Sequence, residues 1–255
     1  MSQSENTRSY PVKKSNDLIQ KTMCMLTSQE FDLLQYLVMR ICDDDTEIHE
    51  QIIDIKEFCQ IAGIKDAGDN YKNIKKSLQG LANKSVWTEL PLNKGREQLC
   101  RWIEDPWIDK GDGKVCVQLK KYWEPYLLEL KKRYTVTTLK ETLPMKSVYG
   151  KRLYELLNSY LMGNDSSAHI KFSIADLKKM LLGESWDKKY KEFKHFHDKV
   201  LKPALNDLSD FGHLHVSMTL RRVGRSYSYV YFDVEEKDFE KKLSSAKKEQ
   251  AFFEK

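Results

Sequence analysis

Two His-hydrophobic-His elements, His195-Phe-His197 and His213-Leu-His215, come nearest in this chain to the spacing of a metal centre. On a strand, residues i and i+2 share a face, and paired imidazoles there can hold a divalent ion for rolling-circle nicking, in which a tyrosine attacks DNA. The first pair falls on a predicted helix, where two residues turn through about 200° and the rings cannot share one ion. The second pair has strand geometry but no evident third ligand. Tyr227, Tyr229 and Tyr231 alternate along the expected partner strand, where packing accounts for them. No Gly-x-x-x-x-Gly-Lys-Ser/Thr is present to cradle a nucleotide triphosphate, and Gly111-Asp-Gly-Lys114 is long enough only for a turn. Cys24, Cys42, Cys59, Cys100 and Cys116 never take the C-x-x-C spacing of a zinc site and read as reduced thiols in apolar niches. The expectation is a protein with no catalytic residues, no metal and no cofactor.

Cations carry more information. Lys191, Lys194, His195, Lys199 and Lys202 lie off the apolar stripe of one predicted helix, and Arg221, Arg222 and Arg225 cluster at one predicted hairpin tip. A helix seated in a DNA groove needs cations for the flanking phosphates and forked or amide side chains for base edges. Lys72, Asn73, Lys75, Lys76 and Gln79 form a similar face on an earlier helix. Solvated lysine-rich helices would look much the same. The formal net charge is +5, from 43 Lys+Arg and 38 Asp+Glu, but it is unevenly spread. Residues 29–69 hold eleven acids and three bases, whereas residues 110–152 hold eleven bases and four acids, the patterning of a polyanion binder. Trp87, Trp102, Trp107, Trp123 and Trp186 read as core anchors rather than stacking platforms.

These faces need elements to hold them. The capping box Thr27-Ser-Gln-Glu30 opens a helix over about 28–41. A strand over 48–55, a helix over 56–62 closed by Gly63, and a third helix capped by Asp69 or Asn70 follow. Residues 85–90, 98–104 and 114–119 read as strands and 122–132 as a helix. The order then recurs: a helix over 147–161, a strand over 168–172, a helix over 173–183, and a long helix marked by Tyr190, Phe193, Phe196, Val200, Ala204 and Leu208, interrupted near Phe196. Strands at 213–220 and 226–234 close it. Starts near 27 and 147, 48 and 168, and 70 and 190 each differ by 120, so one supersecondary unit is present twice. The predicted fold class is α+β, two tandem winged helix-turn-helix domains related by an internal pseudo-repeat. The first spans 1–140, the second 144–243, and 244–255 is a loose charged tail. No membrane-length apolar run and no secretory signal are seen, so a cytoplasmic protein is expected.

Four pieces in order, Val12-Lys-Lys-Ser-Asn-Asp-Leu18, Lys151-Arg-Leu-Tyr-Glu-Leu156, Phe196-His-Asp-Lys-Val-Leu-Lys-Pro-Ala204 and Gly224-Arg225, resemble the iteron-binding plasmid replication initiators over about residues 12–235. That family often has two or three basic residues directly after the phenylalanine; here His197, Asp198 and Lys199 take those places. The resemblance implies a non-enzymatic initiator whose monomers bind directly repeated duplex origin DNA, open the origin, and recruit a host initiator and replicative helicase. It also implies a monomer–dimer equilibrium, with association through the first domain and repression of its own promoter by dimers, and no membrane role. A winged-helix transcription regulator and a rolling-circle nicking enzyme are the competing readings.

Overall fold

The computed structural model describes all residues except 1–6, 23–24, 65–68, 90–94, 110, 162–165, 184–185 and 254–255. The chain divides into two compact units, Met1–Leu18 with Leu26–Leu143, and Ile19–Met25 with Pro144–Lys255.

The described strands of the first unit are β1 (Pro11–Ser15), β2 (Gln51–Asp54), β3 (Ser85–Glu89), β4 (Glu97–Arg101), β5 (Trp107–Asp109), β6 (Lys114–Val117) and β7 (Tyr134–Thr138). They form an antiparallel β1–β7 pair, a β2–β6–β5 sheet and a β3–β4 hairpin. The expected capping box opens helix Ser28–Met39: Glu30 N–H donates to Thr27 Oγ1 at 3.3 Å and Thr27 N–H to Glu30 Oε2 at 2.6 Å. Glu30 also pairs with Lys84, beyond the end of helix Asn70–Asn83. Gly80 makes the approach of these two helices possible, since a Cβ there would lie 1.9 Å from Glu30 Oε1. Asp54 caps helix Ile55–Ile61 through the Lys56 and Glu57 amides. Gly63, with φ 65°, ends that turn.

Several first-unit expectations are corrected. The helix expected over 122–132 is one 3₁₀ turn, Lys121–Trp123, and one α-turn, Glu124–Leu127; Glu129 and Arg133 then take positive φ, which no helix continues. β1 and β7 are absent from the expected elements: β1 buries Lys14 beside Val12, and in β7 the apolar pattern is inverted. Thr135 and Thr137 are buried while Tyr134 and Val136 face outward, and Thr135 Oγ1 donates to Asn16 Oδ1 at 2.8 Å. Asp69 occupies the cap position of the third helix without a side-chain cap bond. Trp102 and Trp123 stack in the core at 4.6 Å, but Trp87 and Trp107 are exposed, as is Cys42.

In the second unit, helix Val148–Asn158, strand β8 (Ser167–Ser173) and helix Ile174–Leu182 precede a continuous helical run, Phe193–Phe211; strands β9 (Leu214–Val223) and β10 (Ser226–Glu236) follow. The antiparallel sheet has the order β8–β10–β9. Its inner face, with Phe172, Val230, Phe232 and Val234, packs with Leu153, Leu177, Phe196 and Val200 in one core. Helix starts at 28 and 148, 55 and 174, and 70 and 193 differ by 120, 119 and 123, so the element order recurs. The expected interruption near Phe196 is a π-helical segment, His197–Leu201, in which the Lys202 N–H reaches back five residues to His197 O. Pro203 gives the reason: it cannot donate to Lys199 O and its ring crowds that carbonyl, so the turn widens. The segment expected to be a loose tail is helical instead, within Phe239–Phe253. Lys237 Nζ ties it down, donating to Ser245 Oγ at 2.7 Å, and Lys248 pairs with Asp210.

Candidate nucleic-acid interface

The long helix of the second unit presents Lys194, His195, Lys199 and Lys202 as the spacing predicts, whereas Lys191, expected on the helix, lies in the segment that leads into it. Phe196, Val200, Leu201, Ala204 and Leu208 are buried, and Lys191, Lys194, His195, Lys199 and Lys202 are exposed. His197 is half-buried, with Nδ1 2.8 Å from Asp198 Oδ1. That hydrogen bond, with the fields of Lys194 and Lys202 behind it, holds the Asp198 carboxyl below its usual range. An acid amid the basic face is thereby paired on its own helix rather than turned bare toward a phosphate.

Two side chains whose part at this helix sequence reasoning missed, the buried Lys178 and the half-buried Tyr149, fix the entry to it. Lys178 is 8% exposed, and its Nζ donates to Tyr190 O at 2.8 Å and Lys191 O at 3.3 Å while lying 5.4 Å from the Phe196 ring centre. Burial pushes its pKa down. Tyr149 hydrogen-bonds Tyr190, and burial first, then that bond, pushes its phenol up to about 12. Tyr190 itself has φ 50°, so the helix begins at Phe193 rather than near 190. The available signal was Lys178 standing beside Leu177 on the inward side of its helix, where a lysine must find carbonyls or stay out.

At the wing, Val223 pairs with Ser226 across a two-residue turn, and Gly224 takes φ 63°, the sign a II′ turn requires at its first position. The three arginines do not act as one tip. A β-bulge between Tyr227 and Tyr229 puts Arg222 opposite Tyr227 and Arg221 opposite Tyr229. Arg222 lies 4.4 Å over the Tyr227 ring and donates to its hydroxyl at 2.9 Å; Tyr227 in turn lies 4.8 Å from Phe193. Arg221 hydrogen-bonds the Tyr231 hydroxyl on the outer face and, with Lys171, holds that phenol below its usual range. Arg225 stays exposed at the turn.

In the first unit, Lys72, Asn73, Lys75, Lys76 and Gln79 are exposed on helix Asn70–Asn83, opposite the buried Ile74, Leu78 and Leu81. Asn93-Lys-Gly-Arg96, between β3 and β4, reads from its sequence as a turn, and its first two residues lie outside the described residues. The histidine pairs do not converge. His213 is 2.5 Å from the Tyr154 hydroxyl, whereas His215 is exposed opposite Glu235. Among the described residues, no group of three His, Cys, Asp or Glu side chains is placed to hold a metal ion.

Residues 11–158 match the WH1 domain of the Initiator Replication protein family, and residues 173–234 match the WH2 domain of the Initiator Rep protein. The chain belongs to this initiator family. Its fold is therefore two winged-helix domains. A replication initiation protein from Escherichia coli is 28% identical over 166 residues, 65% of this chain and 50% of that protein. The chain spans about half the length of this curated relative. The crystal structure of the Pi initiator protein in complex with iteron DNA has the same fold, with a TM-score of 0.74 at 19% identity over 91% of this chain and 99% of that one.

In this member of the family, Lys151-Arg-Leu-Tyr-Glu-Leu156 is structural rather than outward-facing. Lys151 and Glu155 are each 1% exposed, and Tyr154 holds His213. Arg152 Nη2 donates to Thr22 O at 3.0 Å and Ile19 O at 3.3 Å, so the motif binds the Ile19–Met25 segment into the second unit. Among the described residues, no helix is long and apolar enough to cross a membrane.

Proposed function

We propose that this chain is a plasmid replication initiator that binds directly repeated duplex origin DNA and opens it without cutting a strand. The observation that carries this reading is the exposed row Lys194, His195, Lys199 and Lys202 on a third helix of winged-helix type, with Lys191 just before it and Arg225 on a wing braced to the same helix. Cations of this kind neutralise phosphates, and the helix they flank is the element that enters a major groove in such folds. His197 and Arg222 serve the interface by position, one paired to Asp198 and the other to Tyr227. Lys72, Asn73, Lys75, Lys76 and Gln79 supply the corresponding face of the first domain.

The domains in this proposal are 1–140 and 144–243. Dimerisation through the first domain, repression of the chain's own promoter, recruitment of a host initiator and replicative helicase, and a cytoplasmic location belong to the same reading. Footprinting on the DNA flanking the chain's own gene tests it. Evenly spaced direct repeats are expected; a single palindrome with no repeats would replace the initiator by a transcription regulator.

A further inference from the structure

The outer face of the second unit's sheet carries a group of side chains that duplex binding leaves unused. β10 is the central strand, and its inward residues Val230, Phe232 and Val234 are buried. Tyr229 and Tyr231 alternate with them on the opposite face, half-buried, two residues apart and so roughly 7 Å apart along the strand. Cations flank the rings from both sides. Lys171 on β8 stands opposite Tyr231, with Nζ 4.2 Å from the Tyr229 ring centre and 5.9 Å from that of Tyr231. Arg221 on β9 stands opposite Tyr229 and hydrogen-bonds Tyr231. His169 stacks on Tyr231 at 5.5 Å and pairs with Asp233. The acids Asp233 and Glu235 lie further along β10, so the positive end of this face is the wing end.

We propose that this face is a second nucleic-acid site, which takes unpaired DNA by stacking bases on Tyr229 and Tyr231 while Lys171 and Arg221 hold the adjoining phosphates. Aromatic rings interleaved with cations are the features that bind single strands with little sequence preference. Duplex DNA does not fit the same chemistry. Its base faces are closed by stacking and leave the two rings nothing to stack on. The ring spacing is about twice the 3.4 Å rise per nucleotide of a duplex strand, a reach that suits an extended strand. The role of the site, holding a strand released at an opened origin, rests on the function proposed above; the site itself does not.

The test uses the full chain and a fluorescent oligothymidine of roughly twenty nucleotides, longer than the site size of one such platform. Saturable binding is expected, and excess unlabelled duplex from the footprinted region should leave it in place. The Tyr229→Ala/Tyr231→Ala double variant should weaken oligothymidine binding by roughly tenfold per ring, and the corresponding double Phe variant should keep it. Duplex affinity should be the same in all three proteins. Iodouracil photocrosslinking of the parent protein needs no folded variant, and its adducts should map to Tyr229 or Tyr231. The proposal is overturned if duplex displaces the oligothymidine completely, if crosslinks map only to residues 191–202, or if an abasic oligonucleotide binds as tightly. Retained oligothymidine binding by a protein that ignores its flanking duplex would support this site and sink the initiator reading instead.

Discussion

The Phe193 ring, at the start of the second domain's third helix, lies 4.8 Å from the Tyr227 ring on the wing. Arg222 covers the other end of this pair, 4.4 Å over Tyr227 and hydrogen-bonded to its hydroxyl. The bulge at Ser228 makes the contact possible, because it puts Tyr227 opposite Arg222 in the register and within reach of the helix. Helix and wing are thus joined by a stack of side chains at the end where both would meet DNA.

Tyr227→Ala removes the middle of that stack. Both positive surfaces stay, so binding to unrelated duplex should hold its strength and salt dependence. Preference for the origin repeats over unrelated duplex should fall by roughly tenfold, about the discrimination of one base contact. Competition binding at fixed salt measures the ratio, and an unchanged ratio would show that the wing needs no brace.

The three wing arginines should separate in a salt titration. Arg225→Ala removes an exposed cation at the turn and should lower the log–log salt slope of duplex binding by about 0.9, the value of one phosphate contact. Arg221 faces the outer sheet, so Arg221→Ala should leave the duplex slope unaltered. Arg222→Ala should mimic Tyr227→Ala. Equal slope changes from all three would restore the single basic tip that their spacing suggests.

What the sequence could show of this arrangement depended on period and faced a limit at tertiary contact. The third helix of the second domain was legible because Phe196, Val200, Ala204 and Leu208 recur at helical spacing and leave the lysines outside. The divergence of Arg221 from Arg222 was not, since strict alternation along β10 hides a one-residue bulge, and the bulge reverses which side chains share a face. Lys178 was hidden for a different reason. Its partners are backbone carbonyls of Tyr190 and Lys191, brought to it only by the positive φ at Tyr190. β7 buries threonines and exposes a tyrosine and a valine, so binary patterning reads it the wrong way round, and β1 buries Lys14 on the same side as Val12, which the pattern reads as solvated.

Gly80→Ala should destabilise the first domain by about 1–3 kcal/mol, the usual cost of forcing an extra methyl into a packed site. The new Cβ would meet the Glu30 carboxylate at 1.9 Å, and Glu30 is held by Thr27 and Lys84, so it has little freedom to withdraw. Urea denaturation followed by tryptophan fluorescence reads the loss. The same substitution at Gly95, where no atom lies within 4 Å but φ is 82°, separates backbone strain from this collision.

Asp207 gives the second domain a pH dependence of defined sign. Burial raises its pKa above the ordinary 3.8, against hydrogen bonds from the Ser147 and Lys146 amides and the field of Lys151. Between 3.8 and that raised value the folded state holds more protons than the unfolded one, so this group's contribution to stability falls as pH rises through the window. Asp207→Asn abolishes the titration. The variant's stability relative to the parent should therefore climb as pH rises from below 3.8 and level off above the raised value, measured by urea midpoints across the acid range. A difference that is flat with pH, or that runs the other way, would place the carboxyl in a more polar setting.

The last prediction separates origin opening from strand cutting. A nicking mechanism would need His213 and His215 on one ion and a tyrosine free to attack. Here His213 is engaged by the Tyr154 hydroxyl and packs edge-on to its ring, while His215 is exposed across from Glu235. Tyr227 is committed to Phe193 and Arg222, and Tyr231 to Arg221 and Lys171. Supercoiled DNA carrying the footprinted repeats, incubated with the protein and Mg²⁺ or Mn²⁺, should therefore stay unnicked and form no covalent adduct. Opening should come from binding energy, since tighter protein–DNA binding to the deformed duplex can offset a few kcal/mol of unpairing, with ATP chemistry left to other proteins. Permanganate-reactive thymines beside the bound repeats, in strands that remain intact, are the expected result. Metal-dependent nicks that vanish in a Tyr227→Phe, Tyr229→Phe or Tyr231→Phe variant would make the protein an enzyme.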